Sequence, residues 1–148
     1  MQVAVIGGAE CSDDVRKIAY ELGKRLVEEG HILVCGGLGG VMEAVCFGAK
    51  DGGGVAVGIL PGEKEDANPW VSIAIATGMG HARNTIIVKS ADAVIALPGE
   101  YGTLSEIALA LKMGKKVISL QSWAVPGVAN AKSAEEAVLF LESARKSR

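Results

Sequence analysis

The sequence predicts an α/β fold in which a mostly parallel sheet is flanked by helices. Short, continuous apolar runs of strand length alternate along the chain with longer runs whose apolar residues recur at helical spacing. Continuous apolar strands are typical of parallel sheets that are covered on both faces. Glycine clusters follow several of these strands, as they do where a strand turns into a helix at a ligand-binding edge.

The composition indicates one domain, residues 1–148. The chain is 49% apolar and only 4% aromatic, and it has 20 glycines. This composition fits a core of Val, Ile, Ala and Leu with many tight turns. A chain of this length buries a good core without disulfides or metals.

Charge and cysteine content narrow the expected partners and location. The formal net charge is -2 and no dense block of Lys or Arg occurs, so nucleic acid is not an expected partner. Cys11, Cys35 and Cys46 are odd in number and lack C-x-x-C spacing, which predicts no metal site and indicates a reducing, cytoplasmic location. The N-terminus has the pattern of a strand rather than of a signal peptide, and no apolar run is long enough to span a membrane.

Residues that typically begin or end helices set the limits of the predicted helices and strands. A first helix is expected between Ser12, a plausible N-cap, and Gly30, a plausible stop. The predicted strands are residues 3–6, 32–35, 55–60, 70–76, 93–97 and 117–120. The other predicted helices are residues 41–50, 79–90 and 102–113, and a last helix that runs from Ser133 to a basic tail.

Glycine turns after three strands are expected at one edge of the sheet, because the carboxyl ends of parallel strands meet there. Three such turns indicate a nucleotide or another phosphate compound as the ligand. Met42 stands where a dinucleotide fingerprint has glycine, and no P-loop motif occurs. The predicted ligand-binding residues are Gly7, Gly8, Gly36, Gly37, Gly39, Gly99, Glu100, Tyr101, Gly102 and Thr103.

The stretch from Leu97 to Glu106 concentrates the candidate chemistry. A strand, a glycine turn and a helix start form an anion site, because the first N–H groups of a helix are unpaired and its dipole is positive there. Glu106 lies one turn into the predicted helix, within reach of such a ligand. The same residues also fit a capping box, in which Thr103 caps the helix and Glu106 reaches back to the cap N–H.

Other polar residues carry two interpretations each. Arg83 suits a phosphate or carboxylate, and a surface ion pair is its alternative. Tyr101 either stacks on a base or covers the turn. Glu43 either touches a ribose hydroxyl or lies on a solvated helix surface. Asn68 fits a loop residue before a proline.

These residues resemble the LONELY GUY family and its wider nucleotide-binding superfamily, long called possible lysine decarboxylases. The family pattern P-G-G-x-G-T-x-x-E is matched, in order, by Pro98, Gly99, Gly102, Thr103 and Glu106. The upstream pattern M-H-E-R-K is matched by His81 and Arg83. Residues 59–69, 78–84 and 102–110 are more similar to a bacterial and archaeal branch, which is itself similar to molybdenum cofactor carrier proteins.

The resemblance implies a modified Rossmann fold, a homodimer or higher homo-oligomer, and N-glycosidase activity without a cofactor. In that family a nucleoside 5'-monophosphate is hydrolysed to free base and ribose 5-phosphate. Carried over, Arg83 holds the ribose-phosphate, and Glu106 stabilises the oxocarbenium-like centre and aligns water. The carrier branch implies the alternative, a non-catalytic binding protein for a nucleotide-like ligand or the molybdenum cofactor.

Two residues depart from the family pattern. Glu100 replaces the second glycine, and Asn84 replaces the lysine that follows the arginine. A carboxylate about 5 Å from a unit negative charge costs roughly 3 kcal/mol at an effective dielectric near 20. Both changes therefore make a phosphomonoester less favourable as a ligand. The apolar helix 104–113 is the segment expected to bury a partner subunit.

Overall fold

The computed structural model describes the backbone of residues 1–146 and the side chains of residues 1–143. Its strands are β1 (Gln2–Ile6), β2 (Ile32–Cys35), β3 (Ala56–Leu60), β4 (Ile73–Ala76), β5 (Ala93–Ala96), β6 (Lys116–Ser119) and β7 (Ala129–Asn130). Its α-helices are α1 (Asp13–Glu28), α2 (Val41–Asp51), α3 (Arg83–Ser90), α4 (Tyr101–Lys112) and α5 (Ala134–Lys146), with 3-10 turns at Lys64–Asp66 and Gly80–Ala82. Within these residues no helix combines the length and the apolar character that crossing a membrane requires.

The strands form one parallel sheet in the order β4-β3-β2-β1-β5-β6-β7, which confirms the predicted fold class. Alternate residues of β1 point to opposite faces of the sheet. Val3 and Val5 pack into a core with α1, α2 and α5, whereas Ala4 and Ile6 pack into a second core with α3 and α4. Each central strand is thus buried on both faces, which is why its sequence is continuously apolar.

The strand order places a topological switch point between β1 and β5. From β1 the chain proceeds outward to β4, then returns to add β5 on the opposite side of β1. Crossovers that diverge in this way leave a crevice at the carboxyl ends of the two strands. The Gly8 N–H donates to Pro98 O at 2.9 Å, and the Val41 N–H donates to Gly8 O at 3.0 Å. The three predicted glycine turns are therefore adjacent at this crevice.

Two glycines let α1 and α2 approach each other closely. An added Cβ at Gly23 would lie 2.1 Å from Val45 O, and one at Gly48 would lie 1.9 Å from Tyr20 O. Backbone of one helix therefore packs directly on backbone of the other. Because α2 begins right after the second glycine turn, this packing also fixes that turn.

Several boundaries differ from the prediction. The predicted strand 70–76 is limited to residues 73–76, and the predicted helix 79–90 begins only at Arg83. Gly78 and Gly80 have φ of 62° and 60°, a left-handed backbone that interrupts a helix. The two-residue strand β7 was not predicted. The basic side chains of the predicted tail lie outside the described residues.

Candidate functional site

A cavity of about 430 Å³ lies at the switch point. Its size suits a small-molecule ligand. It is lined by Gly7, Gly8, Ala9, Glu10, Leu38, Met42, His81, Arg83, Asn84, Gly99, Glu100, Gly102, Thr103 and Glu106. The two predicted catalytic side chains therefore share one cavity with the first and third glycine turns.

The remaining predicted ligand residues lie around this cavity rather than in its wall. Gly36 borders a small neighbouring space together with Gly7, Arg83 and Glu106. Gly37, Gly39 and Tyr101 line neither space. Glu43, half-buried on α2, does not line the cavity either.

Arg83 is the first residue of α3 and is only 8% exposed, so it is not the surface ion pair considered from the sequence. Its guanidinium lies against Gly36, where an added Cβ would be 2.8 Å from Nη2. Nη1 donates to Oδ1 of Asn84, while the buried Nε has no hydrogen-bond partner. Burial lowers the pKa of Arg83, and the charge of Glu106 raises it. Arg83 lines the cavity, so its charge is suited to an anionic ligand there, whereas its Nε is closed off from solvent.

Glu106 lies on α4 and is 7% exposed. Burial raises the pKa of Glu106 to about 7, against the opposing effect of the Arg83 charge. Both side chains are described, and no guanidinium nitrogen of Arg83 lies within 4.0 Å of the Glu106 carboxylate. Because its pKa is close to neutrality, the Glu106 carboxyl group is present at pH 7 in both its ionised and its protonated form.

The capping-box interpretation is wrong. α4 begins at Tyr101 with Glu100 at the N-cap position, and no side chain caps it. Thr103 is instead inside the first turn and is 4% exposed, with its Oγ1 2.0 Å from where a Cβ on Gly99 would lie. Helix α4 starts two residues before Thr103, because the turn after β5 already ends at Glu100. Glu106 consequently has no cap to bond and faces the cavity.

Unpaired backbone donors line the start of α4. The N–H groups of residues 99–103 donate no hydrogen bond within the described part of the chain. Together with the positive end of the helix dipole, these N–H groups are suited to an anion, and the anion site predicted from the sequence stays a prediction. Gly102 was expected to permit a turn, but it lies in helical backbone, and an added Cβ would meet no atom within 4 Å. Its missing side chain leaves the cavity open.

The structure gives physical reasons for the two departures from the family pattern. Glu100 is exposed, so water screens its charge more than an effective dielectric near 20 assumes. Asn84 is 6% exposed and accepts a hydrogen bond from Arg83, which orients the guanidinium. A lysine there could not accept that bond, because an ammonium group only donates.

Two further side chains hold the glycine turns. Asn68, expected to be only a loop residue, donates from Nδ2 to Leu38 O at 2.9 Å, and its N–H donates to Gly37 O at 2.9 Å. Trp123, which sequence reasoning missed, donates from Nε1 to Gly99 O at 3.1 Å. The chain has two tryptophans, and the position of one of them just after a strand at the ligand-binding edge was the available signal.

The chain belongs to the SLOG cluster4 family, whose family model matches residues 1–147. A relative from Archaeoglobus fulgidus, described as an uncharacterized protein, is 52% identical over 141 residues, covering 95% of this chain and 93% of the relative. Cytokinin riboside 5'-monophosphate phosphoribohydrolase LOG from Oryza sativa subsp. japonica is 42% identical over 94 residues, covering 60% of this chain. That match spans 38% of the length of the rice enzyme.

Solved structures share the fold over nearly the whole chain. The molybdenum cofactor binding protein from Rippkaea orientalis has a TM-score of 0.92 and 39% identity, covering 97% of this chain and 96% of that chain. The molybdenum cofactor carrier protein from Chlamydomonas reinhardtii has a TM-score of 0.87 and 33% identity, covering 96% of both chains. The sequence resemblance to the LONELY GUY superfamily and its carrier-like branch is thereby confirmed.

Proposed function

We propose that this protein hydrolyses the N-glycosidic bond of a nucleoside 5'-monophosphate, giving free base and ribose 5-phosphate. The observation that carries the proposal is the pairing in one cavity of Glu106, with its pKa raised to about 7, and the buried Arg83, whose Nε lacks a partner. A carboxyl group with a pKa near the working pH is suited to general acid–base chemistry. The similarity to the rice phosphoribohydrolase supports the reaction class.

In this mechanism the ligand phosphate binds the unpaired N–H groups of residues 99–103, where the helix dipole favours an anion. Arg83 binds an oxygen of the ribose-phosphate and fixes the sugar against Glu106. The bond between C1' and the base nitrogen breaks with its electron pair going to the base. The ionised Glu106 stabilises the positive charge that develops on the sugar ring.

Water completes the reaction. Its oxygen forms a bond to C1', Glu106 accepts the proton that it releases, and the departing base nitrogen takes up a proton from solvent. Glu106 then returns its proton to solvent. The protein's own groups bind and orient the substrate and transfer the proton, and the proposed reaction requires no cofactor.

We also propose that the protein is a homo-oligomer, that residues 1–148 form a single domain, and that its location is cytoplasmic. The start of α4 exposes 79% of Tyr101, and the half-buried Leu104 and Leu111 lie further along the same helix. Apolar surface of this kind favours burial against a second copy. Sedimentation equilibrium would test it, and a monomer at all concentrations would contradict it.

The test of the activity is direct. AMP, GMP, CMP and UMP are incubated with the protein, and free base is separated by chromatography. The Arg83→Lys variant keeps the charge but loses the planar fork, so base release should fall at least tenfold. Arg25→Lys is the matched control, because Arg25 is a half-buried residue of α1 that is paired with Glu21 at 2.9 Å and lies outside the cavity.

A second function is favoured by one observation, the TM-score of 0.92 to a molybdenum cofactor binding protein. In this alternative the same N–H groups and Arg83 hold a phosphate-bearing ligand as cargo, without breaking a bond. The donors are suited to an anion in either case. Thermal stabilisation by a nucleotide or a pterin phosphate, with no release of base from any of the four nucleotides, would establish the carrier function over the hydrolase.

A further inference from the structure

Trp123 contacts the backbone of the third glycine turn. Its Nε1 donates to Gly99 O at 3.1 Å and to Glu100 O at 3.2 Å. Its ring stacks on Tyr101, with the ring centroids 6.0 Å apart and the planes 25° apart. One indole N–H is thus shared by two consecutive carbonyls of the turn.

The loop that carries Trp123 is fixed on the sheet. The Leu120 N–H donates to Ala96 O at 2.8 Å, and the Ser122 N–H donates to Ser119 Oγ at 2.9 Å. Between them, Gln121 has a φ of 61°, a left-handed conformation that no other non-glycine residue adopts in the described chain. This bend turns the loop back so that the indole reaches the turn after β5.

The orientation of these carbonyls determines the orientation of neighbouring donors. In a trans peptide unit the C=O and N–H bonds point in opposite directions, and the described chain has no cis peptide bond. Because the carbonyls of Gly99 and Glu100 accept from Trp123, the N–H groups of Glu100 and Tyr101 face away from it. The Glu100 carbonyl also accepts from the Leu104 N–H at 3.1 Å, so Trp123 alone holds only the Gly99 carbonyl. Both N–H groups belong to the unpaired set at the start of α4.

Trp123 and the large cavity lie on different sides of the turn. Trp123 borders a separate space of about 210 Å³ with Pro98, Gly99, Gln121 and Ser122. Gly99 borders both spaces, whereas Trp123 borders only the smaller of the two and Arg83 and Glu106 border only the larger, which is consistent with a turn that lies between them. N–H groups that face away from Trp123 are therefore on the side of Arg83 and Glu106.

We propose that Trp123 is a positioning residue that, through its hydrogen bond to the Gly99 carbonyl, orients the N–H group of Glu100 toward the ligand phosphate. This inference rests on the proposed function only in that the turn receives the phosphate, and it applies equally to a hydrolase and a carrier. Without the indole N–H, the Gly99 carbonyl loses the hydrogen bond that holds it toward Trp123, whereas the Glu100 carbonyl still accepts from the Leu104 N–H at 3.1 Å. The turn then adopts conformations in which the backbone N–H of Glu100 does not point at the anion, so the anion binds more weakly.

The experiment titrates inorganic pyrophosphate into the full chain and follows the backbone amide resonances of residues 99–103 by NMR. Trp123→Phe keeps an aromatic ring against Tyr101 but removes the N–H donor. Trp70→Phe is the matched control, because Trp70 stacks on Phe47 with centroids 4.6 Å apart and borders neither space beside the turn. We expect Trp123→Phe to weaken pyrophosphate binding about tenfold or more, as expected when a bond to a charged group is lost, and Trp70→Phe to leave it unchanged.

A second measurement does not depend on how the variant folds. In the wild type, pyrophosphate should shift the indole N–H resonance of Trp123 and leave that of Trp70 in place. Unchanged affinity in a folded Trp123→Phe, or turn amides and a Trp123 indole that do not respond to pyrophosphate, would overturn the proposal. Base release from nucleotides is measured separately, so a protein that binds pyrophosphate through Trp123 but releases no base would contradict only the proposed hydrolysis.

Discussion

Arg83 and Glu106 face the same cavity, yet their charged groups do not approach within 4.0 Å of each other. The two groups interact over a longer distance, since each affects the pKa of the other. An ion pair at short range would hold the Glu106 carboxyl ionised and occupy the guanidinium. The separation instead leaves Glu106 with a raised pKa and Arg83 without a carboxylate partner, so a ligand in the cavity can bind between them.

The first prediction concerns the dependence of stability on pH. The pKa of Glu106 rises from its ordinary value of 4.5 to about 7 on folding, so the folded state binds more protons than the unfolded state between these values. The free energy of unfolding therefore falls as the pH rises from 4.5 through about 7. The part of this fall that Glu106 causes is at most roughly 3 kcal/mol. Glu106→Gln lacks this titration.

The measurement is chemical denaturation of both proteins from pH 4.5 to pH 8. The stability of Glu106→Gln relative to the wild type should increase across this range, because the ionised carboxylate becomes the costlier buried group. The other titrating groups are shared by the two proteins and cancel in the difference. A difference that is independent of pH would contradict the raised pKa.

The second prediction separates stability from ligand binding at Gly102. An alanine there meets no atom within 4 Å, and it favours the helix by up to about 1 kcal/mol over glycine. Gly102→Ala should thus melt at the same temperature as the wild type or higher. Gly102 lines the cavity in which we propose that the ligand binds, so an added methyl group there should weaken AMP binding measured by calorimetry. Binding as tight as in the wild type would place the ligand elsewhere.

The third prediction concerns the carboxylate in the glycine turn. A unit charge about 5 Å away in water changes a binding free energy by roughly 0.8 kcal/mol, or about fourfold in affinity for each ligand charge. Glu100→Gln should strengthen AMP binding by at least this factor at low salt, and less at high salt. Glu65→Gln makes the same change in net charge at an exposed residue outside the cavity and should have little effect. Equal effects from both variants would argue against a phosphate at the turn.

The fourth prediction concerns the contact between α1 and α2. Gly48→Ala places a methyl group 1.9 Å from Tyr20 O, a backbone atom that cannot move without shifting the helix. We expect destabilisation of about 1–3 kcal/mol or more, measured by urea denaturation. Because α2 follows the second glycine turn, ligand affinity should fall as well. A variant as stable as the wild type would contradict the close packing.

Local patterns in the sequence predicted most of the sheet and the meeting of Arg83 with Glu106. The strands are continuous apolar runs, and the residues of the site follow glycines at strand ends, where the fold itself brings them together. The helix predicted over residues 102–113 begins at Tyr101, one residue earlier, but the capping box was wrong, because Thr103 has the local preference of a cap and yet lies inside the first turn. The role of Asn68 and the place of Trp123 in the site were not predicted, because their contacts are with glycine turns 30 and 24 residues away in the chain. Only the position of Trp123 after a strand hinted at its contact.

The hydrolysis of AMP by the wild type and by Glu106→Gln, each checked for its melting temperature, tests the central claim most directly. Glutamine keeps the size of the side chain but can neither carry the negative charge nor accept the proton. We predict that the wild type releases adenine and that the variant loses this activity while melting at a similar or higher temperature at pH 7. Release of adenine by Glu106→Gln at the wild-type rate would contradict the assignment of Glu106 as the catalytic carboxylate.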